Sequence, residues 1–194
     1  MMPRLIFFCG HAGTGKTTLA KRLFPRLAAT GQPLCLLDKD TLYGQYSSAV
    51  MGALTGDPND RDSPLYLQHL REPEYRGLLA TARENLALGV SAVVVGPLSR
   101  EVRAHRLLDR AWLGVGPQIA VHIVWVHLAE QEARRRIAAR ANPNDAWKLA
   151  HWDDYHKRLF MPTAAHYPEL LLFDNTASTA QDEQRLLDAL LANS

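Results

Sequence analysis

Leu5-Ile6-Phe7-Phe8-Cys9-Gly10-His11-Ala12-Gly13-Thr14-Gly15-Lys16-Thr17 is the stretch that decides the fold. Its first five residues are apolar without a break, as in a strand covered on both faces. Lys16-Thr17-Thr18-Leu19-Ala20-Lys21-Arg22-Leu23-Phe24 carries a helical pattern. Between strand and helix, Gly10–Thr17 fills the whole pattern G-x-x-x-x-G-K-[ST]. Small residues at those places let successive backbone N–H groups curl around a phosphate at a helix N-terminus. Lys16 then reaches the β- and γ-phosphates, and the Thr17 hydroxyl ligates Mg²⁺. The glycines alone would describe a structural turn; the full pattern between strand and helix carries the assignment. Candidate nucleotide contacts are therefore Gly10, His11, Ala12, Gly13, Thr14, Gly15, Lys16, Thr17 and Thr18, with Lys16 also a catalytic candidate.

The bulk properties are consistent with this. A chain of 194 residues, 47% hydrophobic and 22% charged, reads as one globular domain spanning 1–194. A net charge of +2 is too small to argue for a nucleic-acid partner. The N-terminal apolar run is shorter than a signal h-region, and no stretch approaches a membrane span, so neither export nor a membrane partner is expected. Cys9 and Cys35 fall on separate inner strands and read as small buried thiols rather than a disulfide. The cytoplasm is the expected location.

Strands are predicted at 4–9, 33–37, 91–95, 119–127 and 170–173. Helices are predicted near 15–29, 41–54, 74–88, 101–112, 129–141, 145–160 and 180–192, with Pro25 able to kink or shorten the first. This alternation argues for an α/β doubly wound domain. Thr55–Pro64 is polar and full of turn formers, either a mobile flap or a plain surface loop.

Ligands in such sheets gather at the carboxyl ends of the strands. There the second strand runs into Asp38-Lys39-Asp40. One carboxylate can take a proton from an attacking hydroxyl and the other can hold magnesium, with Asp38 weighted for both roles. Asp40, just before Thr41-Leu42-Tyr43, also fits a helix N-cap. The third strand ends in Gly96, where many phosphate-loop proteins carry an Asp for Mg²⁺. Arg100, just beyond, suits an anionic substrate group, or a plain ion pair with Glu101. After the fourth strand, Arg136 and Arg140 are four apart and share a helix face. That pair suits a lid over the triphosphate, because guanidinium gives fixed-geometry donors to phosphate oxygens. Arg134 and Arg135 read as solvated charges. Tyr43 is a candidate for the substrate pocket.

The order of phosphate loop, Asp38-x-Asp40 and Arg136-x-x-x-Arg140 resembles the phosphate-loop small-molecule kinases of the nucleoside-monophosphate-kinase-like fold. Leu36-Leu37-Asp38-Lys39-Asp40 looks like the second-strand motif of shikimate, gluconate and adenylylsulfate kinases. The wider pattern is most similar to AAA-type ATP-binding kinase-like proteins related to chloramphenicol phosphotransferase and zeta toxins. The resemblance implies a three-layer P-loop NTPase fold, with a five-stranded parallel sheet of order 2-3-1-4-5 and a helical lid near 136–150. It implies ATP and Mg²⁺, a base at Asp38 or Asp40, lid arginines Arg136 and Arg140 on ATP, and adenine contacts from Asp174, Asn175 and Thr176. The expected activity is ATP-dependent transfer of the γ-phosphoryl group to a hydroxyl of a small molecule. The other reading is a nucleotide-binding regulatory or ATPase module with no such acceptor.

Overall fold

The computed structural model describes residues 2–192. Five strands, β1 (Arg4–Cys9), β2 (Leu34–Asp38), β3 (Ser91–Val95), β4 (Ala120–His127) and β5 (Leu170–Asp174), make one sheet in the order β2-β3-β1-β4-β5. Every neighbouring pair is parallel. The helices are α1 (Lys16–Ala28), α2 (Lys39–Thr55), α3 (Pro64–His69), α4 (Arg71–Ala87), α5 (Ser99–Arg103), α6 (Arg110–Leu113), α7 (Glu130–Ala139), α8 (Ala146–Ala150), α9 (Trp152–His156) and α10 (Ala180–Leu191).

The unbroken apolar character of β1 follows from its place at the centre of the sheet. Leu5, Phe7 and Cys9 point to one face and pack with Leu78, Leu79 and Ala82 of α4. Ile6 and Phe8 point to the other and pack with Leu19 and Leu23 of α1 and Leu186 and Leu190 of α10. Each such burial is worth roughly 1.5–3 kcal/mol. Both cysteines are free thiols, Cys9 fully buried and Cys35 partly so. Among the described residues, no helix is long and apolar enough to cross a membrane.

Several local features differ from, or resolve, what was expected. α1 runs through Pro25 to Ala28 without being shortened. The predicted helix over 101–112 is broken: His105 takes φ 54°, a 3₁₀ turn covers Arg106–Leu108, and Asp109 caps a fresh turn at α6. The predicted helix over 145–160 is likewise split at His151, whose ψ of 50° leaves the helical region. The stretch read as a loop from 55 to 64 ends sooner than expected, because Ser63 caps α3 through the Tyr66 N–H and Pro64 takes its first turn.

Candidate nucleotide and phosphoryl-transfer site

Gly10–Thr17 lies at the carboxyl end of β1, and Gly15 is the N-cap of α1. Gly13 has φ 78°, and a Cβ there would sit 2.7 Å from the Ala133 carbonyl oxygen and 2.9 Å from Ile137 Cγ1. Gly15 has φ 86°, and its Cβ would meet Asn175 Nδ2 at 2.5 Å. Only glycine allows this backbone to lie so close to α7 and the loop after β5. The result is a cradle of backbone amides at the start of α1, which fits an anion.

The cradle is held from outside. Asn175 Nδ2 donates to the Thr14 carbonyl at 2.8 Å. The Ala12 N–H donates to the Tyr155 hydroxyl at 3.2 Å. His11 lies edge-on to Trp125, and its Nε2 accepts the Phe160 N–H at 2.8 Å. Burial drives the His11 pKa down to about 4, helped by the charges of Lys16 and Arg103 and opposed by the Phe160 backbone. Inside the loop, Lys16 Nζ donates to the His11 carbonyl at 3.2 Å and Thr14 Oγ1 to the same oxygen at 3.0 Å. Burial lowers the Lys16 pKa, against the pull of Asp40. Thr17 is half-buried and Thr18 exposed. A cleft of about 640 Å³ opens against His11 and Ala12, walled by Trp125, Trp152, Tyr155 and Phe160.

At the end of β2 the cap is made by Asp38, not Asp40. Asp38 Oδ1 accepts from the Asp40 N–H at 2.9 Å and the Thr41 N–H at 3.0 Å, so α2 starts two residues earlier than expected. Asp38 is buried and its Oδ2 takes no part in the cap. Asp40 is exposed and pairs with Lys39 Nζ at 3.0 Å. Lys39 is itself buried; it also reaches Glu74 at 3.1 Å and the Tyr66 hydroxyl at 3.4 Å. The Tyr66 hydroxyl donates to Glu74 at 2.8 Å, and Ser47 Oγ donates to the other Glu74 oxygen. Burial opposes the Lys39 charge, but Asp40, Tyr66, Tyr75 and Glu74 outweigh it and hold the ammonium well above its usual range. The Asp40 carboxyl feels the opposite shift: partial desolvation by the surrounding protein works against its charge, yet Lys39, Lys16 and Arg140 together pull its pKa down. Asp40 is thus an ionised, exposed carboxylate within the electrostatic reach of Lys16. Lys39, Glu74 and Tyr66 were not among the expected site residues, because nothing local shows that α3 and α4 fold back on β2.

Gly96 has a steric reason. A Cβ there would lie 3.2 Å from Tyr75 Cε1 and 3.7 Å from Lys39 Cβ. A side chain there would press on the Tyr75 ring, which would have to give by a few tenths of an ångström. Beyond it, Glu101 does not pair with Arg100. It forms a buried two-pronged bridge with Arg71, at 3.0 and 2.8 Å, and Arg71 lies 4.5 Å over the Tyr75 ring. Arg100 stays exposed. Tyr43 is half-buried, with its hydroxyl packed against Gly77 of α4.

Arg136 lies on α7 and reaches the loop, and Arg140 follows as the C-cap of that helix. Arg136 Nε donates to Glu132 at 2.8 Å, and its Nη1 lies 3.6 Å from where a Gly15 Cβ would be. Arg140 Nε donates to the buried Asp145 at 2.6 Å, and its charge acts on both Lys16 and Asp40. Arg135 pairs with Glu132, while Arg134 lies 5.0 Å over Trp152. Asp174 Oδ1 accepts the Thr176 N–H at 2.8 Å, and Thr176 Oγ1 accepts the Ala129 N–H at 3.1 Å. Asp174, Asn175 and Thr176 thus brace backbone.

No curated protein matches the sequence. Solved structures share the fold. A candidate kinase from Chloroflexus aurantiacus superposes with a TM-score of 0.66 at 22% identity, covering 98% of this chain and 97% of that one. The Mycobacterium tuberculosis APS kinase CysC, in complex with AMPPNP and APS, gives 0.57 at 20% identity over 98% and 99%. Chaetomium thermophilum Kti12, in complex with ADP-AlF3, gives 0.64 at 17% identity over 97% of each chain. A family model described as an AAA domain matches residues 5–162, from the first residues of β1 to just past α9, and takes in the phosphate loop, Asp38–Asp40 and Arg136–Arg140. The chain belongs to that family, AAA_33.

Proposed function

We propose that this chain transfers the γ-phosphoryl group of ATP to a hydroxyl of a small molecule. The whole of 1–194 acts as one unit, and residues near 136–150 serve as the lid. The observation that carries this reading is Asp40: an exposed carboxylate at the end of β2, paired with Lys39 at 3.0 Å and within the electrostatic reach of Lys16 of a complete phosphate loop.

In this reading the loop amides and Lys16 hold the β- and γ-phosphates, and Arg136 and Arg140 approach from the lid side. The acceptor oxygen attacks phosphorus, the bond to the β-phosphate oxygen breaks, and ADP leaves. Asp40 receives the acceptor's proton. The transfer is loose and mostly a matter of positioning and charge, so a weakly basic carboxylate suffices. Thr17 and Asp38 Oδ2 are hard oxygen donors of the kind Mg²⁺ prefers, and they would hold it. When bound, that ion neutralises charge on the β- and γ-phosphate oxygens. Arg100, exposed beyond β3, is offered to an anionic group of the acceptor, and Tyr43 lines the acceptor side of α2. Asp174, Asn175 and Thr176 border the adenine. The likeness to chloramphenicol phosphotransferase and zeta toxins belongs to the same proposal.

A second reading, a nucleotide-driven regulatory module, is favoured by Gly96, which leaves the end of β3 without a carboxylate. An ATP-consumption screen against a library of hydroxyl compounds separates the two, with ATP alone as control. Phosphotransfer requires turnover that depends on an acceptor and falls about 10²–10³-fold in Lys16→Ala. Turnover of equal rate with and without every acceptor would overturn it in favour of the second reading.

A further inference from the structure

Asp62 ties the segment before α3 to the helices beyond the phosphate loop. Its side chain is only 8% exposed, yet Oδ2 accepts from Lys148 Nζ at 2.9 Å and Oδ1 from Arg158 at 3.3 Å. Lys148 also lies 3.4 Å from Asp145 Oδ1, and Asp145 holds the Arg140 guanidinium through Oδ2. A chain of alternating charge, Asp62–Lys148–Asp145–Arg140, therefore ends on the arginine that acts on Lys16 and Asp40.

The other end of that chain is anchored. Asp60 Oδ1 accepts the N–H groups of Asp62 and Ser63. Arg61 donates to the Gly44 carbonyl at 3.1 Å and to Ser48 Oγ at 2.7 Å, both on α2. Asp62 is thus fixed to the helix whose first residues are Lys39 and Asp40. Exposed ion pairs tolerate neutralisation because water replaces the partner. Asp62 and Asp145 are buried, so each has to keep its cation in place.

We infer that Asp62, Lys148 and Asp145 are positioning residues that couple the acceptor-side helix α2 to Arg140, aiming its guanidinium at the nucleotide phosphates. The inference rests on the phosphotransferase reading above, in which those phosphates occupy the Gly10–Thr17 cradle. It makes the polar stretch 57–63 a strap between the two substrate sides rather than a surface loop.

The test is a double-mutant cycle on the affinity for AMPPNP with Mg²⁺, measured by calorimetry. Asp62→Asn should weaken binding about tenfold, the size of coupling usual for residues in one ion-pair network. In an Arg140→Ala background the same change should cause no further loss. Asp62→Glu, which keeps the charge, should recover most of the affinity. If Asp62→Asn fails to fold, Lys148→Met removes the same link while keeping the methylene packing. Wild-type affinity in both Asp62→Asn and Lys148→Met, or losses that simply add to that of Arg140→Ala, would overturn the coupling. Lys16→Ala runs alongside. If it binds AMPPNP like the wild type, the nucleotide site itself is wrong; if it does not bind while the other losses add, only the coupling is wrong.

Discussion

Asp38 Oδ1 takes the N–H groups of Asp40 and Thr41, and Asp40 is left with an exposed carboxylate leaning on Lys39. This division predicts different failures. Asp38→Ala removes a cap and should cost about 1 kcal/mol of stability by denaturant titration. Asp38→Asn keeps an acceptor at the same place and should hold the stability, so any loss of turnover in it reports on Mg²⁺. Asp40→Asn should leave stability within about 0.5 kcal/mol of wild type and abolish acceptor-dependent turnover. An Asp40→Asn variant with full turnover would remove it as the base. The D-x-D pattern announced two useful carboxylates, but which of them caps depends on where α2 starts, and either start satisfies the local pattern. Lys39 is the residue that sequence reading left out. It stands between two acids as an ordinary solvated lysine would, and only α3 and α4, brought over it with Tyr66 and Glu74, make it a buried charge.

At the level of elements, the phosphate loop and α7 are in direct contact through Gly13. A methyl group there cannot avoid the Ala133 carbonyl, and φ 78° is already unfavourable for any residue with a Cβ. Gly13→Ala should therefore destabilise the protein by about 1–3 kcal/mol and push α7 off the loop. Because α7 carries Arg136 and ends at Arg140, AMPPNP affinity should fall as well; unchanged affinity would mean that the loop and α7 adjust independently. The strands were legible almost to the residue, since a covered parallel strand is a continuous apolar run. The helices around 101–112 and 145–160 were not. Their residues favour helix one by one, but the backbone leaves helical geometry at His105 and His151. Propensity gives no warning of such a break.

Across the whole molecule, residues 149 positions apart close the outside of the cradle: His11 Nε2 accepts from the Phe160 N–H. The Phe160 carbonyl lies 3.0 Å from the same nitrogen and would favour a protonated ring, but burial outweighs it and keeps the imidazole neutral. The folded His11 pKa of about 4 lies below the ordinary 6.5, so between those values the unfolded chain binds the proton more readily. His11's contribution should be complete above pH 6.5, decline as pH falls through that window, and be lost below about 4. The difference in melting temperature between wild type and His11→Gln should shrink accordingly between pH 7 and pH 4; a difference independent of pH would refute the assignment. The sheet order was implied only by the family resemblance. The sequence by itself determined the strand–helix alternation, the glycine-rich turn before α1 and the four-residue spacing of Arg136 and Arg140. Each of these rests on short-range spacing, which local periodicity and backbone geometry enforce. Only the tertiary structure decided the cap at Asp38, the buried Lys39–Glu74 pair, the close approach of the Tyr75 ring to Gly96 and the strap from Asp62 to Arg140. Those depend on burial, and burial is set by which distant segments come to lie over β2, β3 and the phosphate loop.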